Sequence, residues 1–482
     1  MRVRALTAGI AVSGLAAGAL VSCGGYGSGS SSSSMGGSYG GSALPTVSVT
    51  SPATATTITL GQAVALAWTS TNATSCTASA SSAMGGAITA SQPVSGQVMV
   101  APTAAGTVAY TFSCTGAGGM SSATSAMVTV NASILSVLAM QKIATIGSTT
   151  SGNDGNPYGL VIAPASAGPI SKGDLVVCNF NNGTAQGTGT TIIGLRPAAG
   201  ATAYPIAQSA SLEGCSALAM LADDSIAATA FTANQVPLVS PKGTLAMPFA
   251  SVAQPWGTTY VAAANGQPAA IYLSDLGGAI DRIELNGDAQ SSFTQIASGF
   301  CGSGVPGAVF APAGLTYDAS NDTLYVVDTS SNSVIAFAKV SSIGEGGISV
   351  DGRCSSVSAP PTPAPTFSGP SAASARVIAH GSPLISPISA ALLADGDLIV
   401  GNGDINIGSG QTPNLAIEIS PVLPGGFVGQ PVQLDTSGTP GALFGIAATV
   451  DSEGRQIVYF NDDNTNTVMM VATPASDSGG MP

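Results

Sequence analysis

The chain has 482 residues, among them 62 Gly and 30 Pro, yet only 7% are charged, against about 25% in ordinary soluble domains. With 45% hydrophobic residues and a net charge of −13 it has material for a large core and is no disordered polyelectrolyte. Its 11 basic residues exclude a nucleic-acid binder that works by neutralising phosphates, and a single histidine, His380, excludes a metal enzyme built on histidine clusters.

Arg2 and Arg4 precede an apolar run from Ala5 to Val21, the basic and apolar regions of a secretory signal. The run ends in Leu20-Val21-Ser22-Cys23, which resembles the lipobox of bacterial lipoproteins. The resemblance implies a signal peptide over 1–22, lipidation of Cys23, and an acyl anchor in the cell envelope, most simply in the outer membrane. The competing readings are a plain secretory signal or one membrane span, for which the run is short. Residues 23–44 are a Gly/Ser tether that behaves as flexible coil.

From Pro45 to Ala132 there is no Asp, Glu, Lys, Arg or His. Period-two stretches such as Val64-Ala65-Leu66-Ala67-Trp68 and Val108-Ala109-Tyr110-Thr111-Phe112 lie between Gly, Pro, Ser and Asn turns, the pattern of short sandwich strands. The segments Gly61–Cys76 and Tyr110–Gly116 resemble the Ig-like modules of bacterial surface proteins, with Trp68 before both cysteines instead of between them. A Cys76–Cys114 disulfide is expected in an exported chain, and closing a loop of about 38 residues contributes roughly 3–4 kcal/mol. With no ionisable group beyond tyrosine and cysteine, this segment is expected to be a spacer or an adhesive surface.

All 24 acidic residues lie at or after Asp154, so residues 133–482 form a second, acidic domain. A unit of three strands with Asp, Asn or Gly turns recurs. Its clearest copy is Ala313-Gly314-Leu315-Thr316-Tyr317-Asp318, Leu324-Tyr325-Val326-Val327-Asp328 and Val334-Ile335-Ala336-Phe337. This is similar to the NHL-type β-propeller repeat. Weaker copies begin near Tyr158, Ala217, Trp256, Ser389 and Phe444. The expected fold is therefore all-β, an Ig-like β-sandwich followed by a six-bladed β-propeller. The last copy supplies three strands where a blade needs four, so the segment 135–146 is expected to add the missing one and close the ring. Cys178, Cys215, Cys301 and Cys354 allow three pairings; Cys178–Cys215 and Cys301–Cys354 are favoured because each joins neighbouring or bracketing repeats.

Candidate chemistry is sparse. Gly302–Gly307 satisfies G-x-G-x-x-G, but Pro306 and the strands around it deny the strand-to-helix context a dinucleotide fingerprint needs. His380 and Ser382 are close in sequence, which is not triad geometry. The residues ending the second strand in five of the six repeats, Asn179, Asp275, Asp328, Asn402 and Asn461, either bond the following turn or face a ligand; Asp275, Asp328 and Asn402 are the binding candidates. The oxygen clusters Asp404-Ile405-Asn406 and Asp462-Asp463-Asn464 are the metal candidates, since calcium takes hard oxygen ligands. No cofactor is required, and no catalytic residue can be assigned. Two readings follow: a surface-anchored binding, adhesion or structural lipoprotein that meets a protein or glycan on its propeller face, or a calcium-assisted hydrolase or lyase acting on an extracellular lactone or saccharide.

Overall fold

The computed structural model describes residues 42–472 apart from 60–63, 83–84, 101, 103–105, 132–137, 139–141, 247–249, 265, 288, 304–308, 352–362, 404–410, 424, 442 and 453–454. The leader, Cys23, most of the tether, Cys354, Asp404 and Asn406 lie outside the described residues. The described residues contain strands and short 3-10 turns but no α-helix, and no described helix is long and apolar enough to cross a membrane. The chain divides into two compact units, Met1–Asn131 and Ala132–Pro482.

In the first unit, alternation places one face of each long strand inward. Val64, Leu66 and Trp68 of strand Val64–Thr71 meet Tyr110 and Phe112 of strand Tyr110–Gly116 in one apolar core, where the Trp68 and Phe112 rings stack at 4.3 Å. Three small sheets surround it, formed by strands of three, three and four. Cys76 and Cys114 are directly opposed on the paired strands Ser75–Ala80 and Tyr110–Gly116 and form a disulfide. The bond therefore staples two neighbours within a sheet and does not bridge two sheets.

The described residues of the second unit form six antiparallel-based sheets. Each begins with an inner strand: Asp154–Ile162, Cys215–Met220, Pro255–Val261, Pro312–Asp318, Pro387–Leu392 and Ile446–Val450. The middle strands are apolar on both faces because each sheet has a neighbour on either side. On Leu175–Asn182, Val176 and Cys178 pack toward the second sheet, while Leu175 and Val177 pack toward the sixth. On Thr323–Asp328, Leu324 and Val326 face the third sheet and Tyr325 and Val327 the fifth. Two further cores join the second sheet to the third and the fifth to the sixth. The six interfaces close on themselves, which is the architecture of a β-propeller.

The last sheet is completed from the far end of the unit: Lys142–Ser148 pairs antiparallel with Thr467–Ala472. The long connection after Ser333–Ala338 departs from a simple interblade loop. It lies within the fourth sheet, and its strands Ile348–Asp351 and Thr366–Ser368 extend the outer edge of the third. Ile348 and Val350 drive this by burying alternate side chains in the core shared by those two sheets.

Cys178 and Cys215 are bonded and tie the first sheet to the second. Cys301 is also disulfide-bonded, while Cys354, its expected partner, lies outside the described residues. These bonds suit an oxidising, extracellular compartment. Replacing Cys178 and Cys215 together with serine will lower unfolding stability by about 2–4 kcal/mol; chemical denaturation of the wild type and the double variant measures it.

Candidate functional site: a tyrosine-lined cleft beside the central channel

The six inner strands surround a channel whose two ends differ. At their starts, Tyr158, Trp256, Ala313, Ile388 and Phe444 join Phe180, Phe231, Leu276, Val309 and Ala311 in a buried plug. Tyr158 is sandwiched between Phe180 and Phe444, with centroids at 4.3 and 3.9 Å and nearly parallel rings. The Trp256 ring stands edge-on to Tyr158 and Phe180. One residue further along come Gly159, Gly257, Gly314 and Gly445, with Ser216 and Ser389 in the second and fifth sheets, all lining a narrow waist. A Cβ on Gly257 would meet the Ala313 carbonyl oxygen at 1.9 Å, and one on Gly445 would meet that of Tyr158 at 2.4 Å. These positions are small because the inner strands approach each other there.

Side chains at the waist stitch neighbouring sheets together. The Ser216 and Thr229 hydroxyls donate to the Trp256 carbonyl at 2.9 and 2.7 Å, the Ser274 hydroxyl donates to Ala313 at 2.7 Å, and the Asn461 amide donates to Tyr158 and Gly159 at 3.2 Å. Beyond the waist the channel widens to a cavity of about 430 Å³ at the ends of the inner strands. Its lining includes Leu160, Leu218, Met220, Leu315, Leu392 and Ile446, and the described lining residues include no carboxylate and no basic group.

A larger cavity, about 610 Å³, opens beside that mouth between the third and fourth sheets. Tyr260 and Tyr317, at the ends of two inner strands, border both cavities. Tyr272 lies buried in the cleft wall, and Arg282, Glu284 and Asp322 supply its charges. The Arg282 guanidinium donates to the Ser341 and Ile343 carbonyls at 3.0 and 2.9 Å and pairs with Glu284 at 3.1 Å. The second Glu284 oxygen accepts from the Ser292 hydroxyl at 2.9 Å. Asp322 accepts from the Tyr317 phenol at 3.2 Å and from the Ser341 hydroxyl at 2.6 Å. Burial pushes the Tyr272 phenol up to about 12, and burial followed by the Asp322 charge does the same for Tyr317. Both phenols are therefore protonated near neutrality and act as hydrogen-bonding rings, not as bases.

The residues singled out from the sequence sit elsewhere and are not gathered in one place. Asp275 accepts from the Ala279 backbone at 3.0 Å, and the fully buried Asp328 accepts from the Ser330 backbone and hydroxyl at 3.1 and 2.7 Å. Both hold their own turns. Asn402 bonds Pro383 and Ile385, and Asn179 bonds Thr149 and Thr191. Asp462 accepts from the Thr465 backbone, whereas Asp463 accepts from Asn156 of the first sheet at 3.4 Å. His380 meets Ser333, across the strand pair, at 3.1 Å. Among the described residues no group of three or more His, Cys, Asp or Glu is placed to hold a metal ion.

No family model and no curated protein sequence matches the chain. Solved structures to which it is similar include a virginiamycin B lyase from Staphylococcus aureus crystallised with quinupristin, at 13% identity and a TM-score of 0.39, over 69% of this chain and 99% of that one. They also include a nidogen–laminin complex, at 13% identity and a TM-score of 0.37, over 62% and 86%, and a luciferin-regenerating enzyme, at 10% and 0.40, over 69% and 95%. A lyase, an assembly partner and a regenerating enzyme share no chemistry that could be transferred to this chain.

Proposed function

We propose that this chain is a binding lipoprotein of the cell envelope. In this reading Cys23 carries the lipid, residues 23–44 the tether and residues 45–132 an Ig-like stalk, while a six-bladed, NHL-like propeller presents the ligand site in the cleft between its third and fourth sheets. The observation that carries the reading is the cleft itself. At about 610 Å³ it lies within the range of ligand pockets, about 300–1,000 Å³, and like them it combines apolar rings with a few hydrogen-bonding groups. The Tyr272 and Tyr317 phenols are protonated and the arginine is occupied by carbonyls and Glu284, which suits holding a ligand.

The test is a thermal-shift screen of the full chain carrying Cys23→Ser against small-molecule and oligomer libraries. A ligand present at about 100 times its Kd adds about 2.7 kcal/mol of stability. Ligands whose shift disappears in the Tyr260→Ala/Tyr317→Ala variant support the reading. Stabilising ligands that are indifferent to both tyrosines, or that emerge chemically converted, overturn it.

A further inference from the structure

The chemistry of the cleft narrows the ligand class, given the binding reading above. We propose that it holds a neutral saccharide, with the sugar ring stacked on Tyr260 or Tyr317 and its hydroxyls bonded to the cleft rim.

The rings come first. Tyr260 and Tyr317 are half-buried, lie on adjacent inner strands, and face space on two sides, since both cavities use them. Such rings offer a broad apolar face for stacking, whatever their phenols bond. A pyranose matches this, because it presents C–H groups on its faces and hydroxyls around its edge.

The charges come second. An anionic ligand needs an uncommitted cation, and the cleft's arginine already serves two loop carbonyls and Glu284. Of the two carboxylates, Glu284 is paired with Arg282 and Asp322 is held by the Tyr317 and Ser341 hydroxyls, so the cleft carries one carboxylate charge beyond its ion pair, and an amine-bearing comparator is the direct check on the neutral class. A carboxylate held in this way still has lone pairs to spare, about four sites over its two oxygens. It can thus accept a hydrogen bond from a ligand hydroxyl without giving up its existing bonds. Gln267 adds a neutral amide to the rim, and Ser320 and Asn321, whose side chains donate to Asp318, add acceptor oxygens.

The shape comes third. The cleft runs into the channel mouth past the two shared tyrosines, so a second sugar unit can follow the first. The plug closes the channel beyond the waist. The site therefore takes the end of a saccharide chain and does not thread it through the ring.

The experiment is isothermal titration calorimetry of the full chain carrying Cys23→Ser. The probes are cellohexaose, maltohexaose and mannohexaose, with an oligogalacturonate and a chitosan hexamer as acidic and amine comparators. At least one neutral oligosaccharide is expected to bind, with Tyr260→Ala or Tyr317→Ala weakening it about tenfold or more, and Tyr260→Phe leaving it within about threefold because the stacking face remains. Tyr260→Phe also guards against a general folding defect in the alanine variants. Absence of binding by all three neutral probes overturns the proposal, as does binding that ignores both tyrosines. Preferential, tyrosine-dependent binding of the acidic or amine comparator overturns the ligand class while leaving the binding reading in place. Shortened oligosaccharides in the calorimeter cell, detected by mass spectrometry, would overturn the binding reading itself.

Discussion

Acidification from pH 7 to pH 5 is expected to raise the stability of this chain. Burial is the leading cause that lifts the Asp281 carboxyl from 3.8 to about 7, and the Asp275 charge adds to it. Burial also raises Asp224, Asp275, Asp328, Asp397 and Asp462. In the unfolded chain each of these ionises near its ordinary value. Between the unfolded and folded values the native state holds more protons, so stability falls as pH rises through that window and levels off above the folded value. For Asp281 the window runs from about 4 to about 7, and two pH units inside it are worth about 2–3 kcal/mol. Relief of self-repulsion in a chain of net charge −13 acts in the same direction. Asp281→Asn removes the group without changing its shape, so the variant will be more stable than the wild type at pH 8 by about 1–3 kcal/mol and will show a flatter profile between pH 4 and 7. Denaturant titrations at a series of pH values measure both effects; parallel profiles for the two proteins would contradict the assignment.

Tyr158→Ala is expected to cost about 3–5 kcal/mol, the range for truncating a large buried aromatic. Tyr158 is 5% exposed, and its ring fills the gap between Phe180 and Phe444, which the neighbouring inner strands cannot close because the glycine waist already holds them in contact. Tyr158→Phe keeps all three rings stacked and should cost under about 1.5 kcal/mol. Because the plug lies at the strand starts and the cleft at the strand ends, ligand affinity at Tyr260 and Tyr317 should survive in the folded fraction of either variant. Equal stability of Tyr158→Ala and the wild type would show that the plug is not a unit of the core.

The propeller was legible because its repeats are local: each inner strand, tight turn and apolar second strand sits within about 30 residues. Tyr158-Gly159, Trp256-Gly257, Ala313-Gly314 and Phe444-Gly445 were visible as repeat starts. Their meaning, an apolar plug residue followed by a small waist residue, emerges only when all six strands converge. The cleft was hidden for a related reason. Tyr317 stands in the first strand of the clearest repeat, and a strand packed on both faces has no polar side to mark the one that opens onto a cavity. The end-of-strand Asp and Asn residues carry oxygens that suit a turn as well as a ligand, and the geometry spends Asp275 and Asp328 on turns and Asn461 on the neighbouring strand. The strands Ile348–Asp351 and Thr366–Ser368 could not be assigned to a sheet from the sequence, because they join a sheet other than the one their flanking strands build.

The pairing of Lys142–Ser148 with Thr467–Ala472 also sets an order of events for a chain that emerges N-terminus first. Until the residues after Asn466 are available, Lys142–Ser148 has no partner, and Gln456–Asp462 lacks the neighbour on its outer side. A partly emerged chain therefore carries two open strand edges, which invite pairing with other chains. Clasping the ring also requires a contact more than 300 residues apart in sequence, a separation that slows folding more than it weakens the folded state. Strand Thr467–Ala472 is in this sense a completion signal: five sheets can assemble as they appear, but the ring has no closed form until that strand arrives.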